Sequence, residues 1–139
     1  MLRPALTIIS VILLACQFAT AQEAAPKPTA VDAIKRLQLL RMEYPTEAYA
    51  SMIFTIDVVP GGIVARHTHP GIEMGYVLEG EGTLQVDGQP ELMMKPGTPY
   101  KVPPATPHSG KNTGDKPLKI IATFVVEKDK PLATPAPLP

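Results

Sequence analysis

All three histidines of the chain stand where they can bind one metal ion. His67 and His69 are separated by one residue, and residues two apart on a strand project from the same face, so both imidazoles can reach one point. Glu73 follows the turn-forming pair Pro70-Gly71, and a chain reversal there can bring its carboxylate to the same ion. His108 comes after a proline-rich turn and can supply a fourth ligand.

Three imidazoles and one carboxylate form a mixed nitrogen and oxygen site that suits Fe, Mn, Ni, Co, Cu or Zn. Each residue also has an ordinary alternative. The histidine pair can lie on the surface and bind nothing, Glu73 can be a solvated strand residue, and His108 can hydrogen-bond within a turn. The four residues on their own leave both interpretations open.

The elements that must position these residues are short strands. The chain has 17 prolines and ten glycines, which favours strands separated by turns over a helical bundle. Alternating apolar residues and turn signals such as Asp87-Gly88 predict eight to ten strands without βαβ alternation, hence an all-β sandwich or barrel. The predicted strands cover 36–42, 52–59, 63–69, 72–78, 83–86, 91–95, 100–102 and 118–126, with a further strand at His108.

The spacing of glycine, proline and the candidate ligands resembles the cupin superfamily. The first cupin motif, G-x5-H-x-H-x3-E-x6-G, is met in full by Gly61, His67, His69, Glu73 and Gly80. The second motif, G-x5-P-x-G-x2-H-x3-N, is met by Gly97, Pro103, His108 and Asn112, with Ala105 in place of its inner glycine. If that position needs a positive φ, alanine is less favourable there by about 1 kcal/mol.

The resemblance implies a double-stranded β-helix, or jelly-roll, barrel with one metal ion bound by His67, His69, Glu73 and His108. For the reaction, we consider first a dioxygenase-type oxidoreductase acting on a small organic molecule. Glu73, partly released from the metal, is then the candidate catalytic base, because the histidines are all ligands. The alternatives are a non-catalytic periplasmic protein that binds metal or a small ligand, and a barrel that holds metal only for stability.

The first 21 residues have the features of a signal peptide. Met1 and Arg3 give a positive start, residues 5–14 are apolar but too short for a membrane span, and Ala19-Thr20-Ala21 offers a cleavage site. We therefore expect a periplasmic or secreted protein. Cys16 lies in a sequence that resembles a lipoprotein box, so a lipid anchor at Cys16 is the alternative.

Residues 22–35 are interpreted as a linker, 36–128 as the cupin domain and 129–139 as a proline-rich disordered tail. Because 13 basic residues balance 13 acidic ones, we expect no nucleic-acid partner. On the strand at 72–78, Met74, Tyr76 and Leu78 face away from Glu73 and need a cover, which the N-terminal strand or a second subunit can supply. We therefore expect a homodimer. Phe54 and Phe124 are candidate cavity walls, with ordinary packing in the core of the barrel as the favoured alternative. Tyr100 is a candidate for the mouth of the barrel, and we assign a substrate contact to none of the three.

Overall fold

The computed structural model describes residues 33–138, and these residues form strands, turns and loops without a helix. The predicted signal peptide, Cys16 and most of the predicted linker therefore lie outside the described residues. Within 33–138, no helix is long and apolar enough to cross a membrane. The strands are β1 (Ile34–Glu43), β2 (Tyr49–Val58), β3 (Ile63–Thr68), β4 (Gly71–Glu79), β5 (Gly82–Val86), β6 (Leu92–Met94), β7 (Pro99–Val102), β8 (His108–Asn112), β9 (Leu118–Glu127) and β10 (Thr134–Pro135).

The strands form two five-stranded antiparallel sheets. Sheet A has the order β1-β2-β9-β4-β7 and sheet B the order β10-β3-β8-β5-β6. The prediction of an all-β fold is confirmed, and every predicted strand is present with ends that differ by a few residues. β1 begins at Ile34, so the last two positions assigned to the linker belong to the first strand.

The core lies between the sheets because the strands alternate between inward apolar and outward residues. β9 shows this most clearly, since every second side chain from Leu118 to Val126 is buried. On β4, Glu73 and Val77 are buried, whereas Met74, Tyr76 and Leu78 are close to half exposed. The predicted parity of this strand is therefore confirmed. The N-terminal strand β1 lies in the same sheet as β4, separated from it by β2 and β9. It therefore does not lie over the outer face of β4.

Asn112 is the fully buried polar residue that joins the loops at one end of the barrel. Its side-chain amide donates hydrogen bonds of 2.8 Å to the carbonyls of Val58 and Lys116, and its Oδ1 accepts one of 2.9 Å from the Gly114 amide. A buried amide with its donors and acceptor satisfied fixes the backbone segments that it links. The asparagine of the second motif thus stabilises the barrel by joining these loops.

The C-terminal segment differs from the prediction of a disordered tail. β10 pairs with β3, placing Thr134 opposite Thr68 and Pro135 opposite His67. Proline has no amide hydrogen, but an edge strand tolerates it because one side of that strand needs no partner. Leu132 also packs against the hydrophobic core. Composition favoured disorder here, and these contacts with distant residues give the segment a defined position.

Ala105 has φ of +55°, and within the described chain it is the one non-glycine residue with positive φ. Its amide donates a 2.9 Å hydrogen bond to the carbonyl of His69, so the turn before β8 is tied to the segment that carries another histidine. The left-handed conformation is strained for a residue with a Cβ atom.

We predict that Ala105→Gly stabilises the protein by about 1 kcal/mol, because glycine adopts this conformation without the steric penalty. Chemical denaturation of the metal-free protein measures the change. Ala48→Gly is the matched control, since Ala48 is exposed in a turn and has no positive φ. There the same exchange should be destabilising. A loss of stability in Ala105→Gly equal to that of the control would contradict the prediction.

Candidate metal centre

The site forms where the two sheets face each other, and strand register brings two of its histidines together. His67 on β3 lies directly opposite His108 on β8 in sheet B. Glu73 projects from β4 in sheet A, and His69 follows directly after the end of β3. The ligand nitrogens of the three histidines lie within 4.8 Å of one another. The structure thus brings together all four residues that the sequence singled out.

An irregularity in β3 turns His67 inward. Val64 pairs with Gly110 and His67 with His108, so three steps along β3 match two steps along β8. One additional residue of this kind is a β-bulge, which reverses the alternation of faces and re-aims the next side chain. Val64 and His67 consequently both line the cavity, although a regular strand would place them on opposite faces.

Each histidine directs its Nδ1 atom toward a backbone carbonyl. The distances are 2.7 Å from His67 to the Ala65 oxygen, 2.5 Å from His69 to the Leu132 oxygen and 3.0 Å from His108 to the Thr106 oxygen. A carbonyl only accepts, so Nδ1 must be the protonated nitrogen in each ring. A neutral imidazole of this tautomer has its lone pair on Nε2. Three such lone pairs therefore point toward one small volume.

The atoms that meet there are all acceptors. The Nε2 atoms of His67 and His69 are 3.2 Å apart, and Glu73 Oε2 lies 3.0 Å from His69 Nε2 and 3.5 Å from His108 Nε2. His108 Nε2 is buried and has no hydrogen-bond partner among residues 33–138. Acceptors this close are stable only when a proton or a cation lies between them. The donor set and its geometry fit a divalent metal ion, and the mixed N/O ligands suit Fe, Mn, Ni, Co, Cu or Zn.

Tyr100 makes a contact in the site that was not predicted from the sequence. Its hydroxyl donates a 2.7 Å hydrogen bond to Glu73 Oε1, which leaves Oε2 facing the histidines. Tyr100 lies opposite Gly75 on β4, and a Cβ at position 75 would overlap the tyrosine ring. The inward glycine two residues after Glu73 was the signal in the sequence, because it leaves room for a large side chain from the neighbouring strand.

The surroundings keep the carboxyl ionised and His67 neutral. Burial raises the pKa of Glu73, but the close His108 and His69 side chains and the hydrogen bond from Tyr100 outweigh burial and lower the pKa to about 2. Burial also lowers the pKa of His67 to about 4, with smaller contributions from the neighbouring His108 and His69. Burial and the nearby Glu73 charge raise the pKa of Tyr100 well above its usual value, so its hydroxyl stays protonated as a donor.

The four residues line a cavity of about 260 Å³. Most of its wall is apolar and includes Phe54 and Phe124, whose rings meet edge to face at a centroid distance of 5.6 Å. Phe124 also lies edge-on to His69 at 5.0 Å. Both phenylalanines thus combine the two roles considered for them, as core residues and as cavity walls. Tyr76 lies on the outer face, as its strand parity predicted.

We predict that Tyr100→Phe weakens metal binding by about 10- to 100-fold, the usual effect of losing a hydrogen bond that orients a ligand. Without the hydroxyl, Glu73 Oε1 loses its donor and the carboxylate is free to turn away from the histidines. Competition with a chelating indicator measures the dissociation constant for Zn²⁺. Tyr76→Phe removes the same group from the outer face and should leave the constant unchanged; equal constants for the two variants would argue against this role of Tyr100.

We also predict that the metal-free protein loses stability as the pH falls from about 6.5 to 4.5. His67 has a pKa of about 4 in the folded chain and near 6.5 when unfolded, so in this range the unfolded chain binds more protons. Glu73 adds a loss of the same sign only below about pH 4.5, its unfolded value. Urea midpoints measured across this range should fall with pH, and more gently in His67→Gln. The same slope in both proteins would contradict the assignment.

Solved structures of other proteins have a fold similar to that of this chain. The chain is 20% identical to DMSP lyase DddQ from Ruegeria pomeroyi, with a TM-score of 0.63 over 76% of this chain and 53% of that one. A predicted oxalate decarboxylase from Thermotoga maritima is 26% identical, with a TM-score of 0.58 over 67% and 80% of the two chains. A cupin-like protein from the same organism is 22% identical, with a TM-score of 0.62 over 74% and 75%.

Similar sequences share only part of their length with this chain. A germin-like protein of Arabidopsis thaliana is 38% identical over 76 residues, which are 50% of this chain and 34% of that protein. An uncharacterized protein of Methanocaldococcus jannaschii, MJ1618, is 38% identical over 66 residues, 46% and 52% of the two chains. The chain thus spans between a third and about half of these relatives. The sequence profile of the cupin domain matches residues 54–124, which include all four residues of the site, and the chain belongs to the cupin family.

Proposed function

We propose that the protein is a metal-dependent enzyme that acts on a small organic molecule in the cavity between the two sheets. The observation that carries the proposal is the convergence of three Nε2 lone pairs and one ionised carboxylate at the wall of an apolar cavity. His67, His69, Glu73 and His108 would hold one divalent ion, Fe, Mn, Ni, Cu, Co or Zn. When bound, the ion would act as a Lewis acid and orient oxygen-bearing groups of the substrate.

The residues of the chain have separate tasks in this proposal. The three imidazoles, each fixed through Nδ1, serve as ligands and take no part in proton transfer. Glu73 is the proposed catalytic residue, because Oε2 can accept a proton from the substrate while Tyr100 continues to hold Oε1. The apolar walls exclude water, which strengthens interactions between charges inside the cavity.

The cavity also indicates what kind of molecule fits it. Its volume of about 260 Å³ and its apolar walls suit a small molecule with a hydrophobic body. Arg36 and Lys111 are the cationic residues of the lining, and the ion pairs found within residues 33–138 involve neither of them. We therefore propose a substrate that binds the metal through oxygen at one end and carries an acidic group.

We propose a dioxygenase-type reaction first, because four protein ligands leave about two positions of a six-coordinate ion for substrate and oxygen. A lyase or decarboxylase is the second candidate. The hydrogen-bonded pair of Tyr100 and Glu73 favours a lyase or decarboxylase, because Glu73 can accept a proton from the substrate and such a reaction needs no oxidant. The similar structures named as a lyase and a predicted decarboxylase point in the same direction. A cupin that binds metal or a small ligand without turnover is the alternative to both.

The experiment is to load the purified protein with each candidate metal and assay it with and without oxygen. Catechols, flavonols and diketones test oxygen uptake, and aromatic or branched hydroxy and keto acids test cleavage without oxygen. We expect turnover with one metal and its loss in His67→Ala, whereas Tyr76→Phe should retain it. Metal binding without loss of any substrate would support the binding protein, and absence of metal binding would refute the proposed centre.

Two expectations about the whole protein stay predictions. We propose a homodimer through the outer face of sheet A, where Met74, Tyr76 and Leu78 remain close to half exposed, and light scattering gives the mass that tests it. We also propose export to the periplasm or outside the cell after cleavage at Ala21, with a lipid anchor at Cys16 as the alternative. The intact mass of the mature chain distinguishes the two.

A further inference from the structure

We propose that the C-terminal segment of residues 131–138 is part of the metal centre. In this proposal, the Leu132 carbonyl positions His69, and the segment forms one wall of the cavity. We name residues 131–138 the strap. The inference rests on the proposed metal centre and adds a positioning role for a segment that neither cupin motif includes and that the family profile, ending at residue 124, does not reach.

The first observation is the source of the hydrogen bond that holds each ring. His67 and His108 bond through Nδ1 to carbonyls two residues earlier in their own strand or turn, at Ala65 and Thr106. His69 bonds instead to Leu132, 63 residues later in the chain, at 2.5 Å. His69 therefore depends on a distant segment for its tautomer and orientation, whereas the other two rings obtain theirs locally.

The second observation is that the strap closes the cavity beside that ring. Leu132 and Ala133 line the cavity together with the histidines. The side chain of Leu132 packs against the hydrophobic core, so its carbonyl is held by burial of its own residue. If the strap were released, His69 Nδ1 would lose its acceptor and the cavity would open to water on this side.

The third observation is a latch at the far end of the strap. β10 pairs with β3 at Thr68 and His67, and the Ala136 amide donates a 3.2 Å hydrogen bond to the Arg66 carbonyl. The Arg66 guanidinium donates at 2.7 Å to the Pro137 carbonyl and forms a two-pronged ion pair with Asp87, in the turn after β5. One arginine thus connects the strap to the sheet at the residue next to the ligand His67.

Truncation tests the proposal directly. Ending the chain after Lys130 should raise the Zn²⁺ dissociation constant by about 10- to 100-fold, the usual result of losing a partner of a metal-ligating histidine. Ending it after Pro137 is the matched control, because Leu138 is 85% exposed and the oxygen that accepts from Arg66 remains, as part of the terminal carboxylate. Nitrogen-15 chemical shifts of the imidazoles give a second readout in the metal-free protein. In the chain ending at Lys130, His69 should lose its Nδ1-protonated form while His67 and His108 keep theirs.

A point variant keeps the test informative if the shorter chain does not fold. Arg66→Gln removes the side-chain contacts of Arg66 with Pro137 and Asp87. It should raise the Zn²⁺ dissociation constant by about fivefold, as expected for the loss of about one hydrogen bond. Asp87→Asn leaves the Arg66 bond to Pro137 in place and should have a smaller effect. Unchanged zinc affinity and an unchanged His69 tautomer in Arg66→Gln and in the folded truncated chain would overturn the inference. Failure of the full-length chain to bind zinc would instead refute the metal centre itself.

Discussion

The structure depends on the confinement of four hydrogen-bond acceptors in one buried place. Three imidazole nitrogens and a carboxylate oxygen lie 3.0 to 3.5 Å apart where they are in contact, and His108 Nε2 has no donor within the described chain. Such a group is unfavourable unless a cation or a shared proton compensates it. The two sheets must therefore hold these atoms against their mutual repulsion. Strand pairing supplies that rigidity, since His67 and His108 are direct partners in sheet B.

Two local irregularities lie beside the candidate ligands. A β-bulge precedes His67, and Ala105 with its positive φ lies three residues before His108. The Ala105 amide also donates a hydrogen bond to the His69 carbonyl. The turn before His108 is therefore joined to the segment that carries His69 through a residue with a strained backbone conformation. Local strain at a site persists when the surrounding contacts over-determine it. Here the pairing of β3 with β8 and the hydrogen bond from the Ala105 amide to the His69 carbonyl provide those contacts.

The strands and the grouping of the four site residues were predicted well, the strands from local alternation and the grouping from the cupin spacing. Alternation along β4 placed Glu73 inside and Tyr76 outside, and the spacing of His67 and His69 required only strand geometry. The sequence did not reveal the bulge that turns His67 inward, since regular alternation gives no sign of it. It also missed the bond from Tyr100 to Glu73, which depends on the register of β7 against β4. The tail was predicted to be disordered because its prolines are visible locally, whereas its pairing with β3 is not.

The apolar walls of the cavity explain why Glu73 needs the hydrogen bond from Tyr100 to stay ionised. In an apolar cavity, a single negative charge would ordinarily be unstable, and burial alone would favour the protonated acid. Tyr100 and the imidazoles reverse that preference, so Glu73 can serve as a ligand or as a base at neutral pH. The same hydroxyl cannot itself act as a base there, because burial and the Glu73 charge keep it protonated. The three imidazoles keep Nδ1 protonated toward backbone carbonyls. In the proposed metal-bound centre, where their Nε2 atoms are ligands, Glu73 Oε2 would be the acceptor that remains for a proton from a substrate.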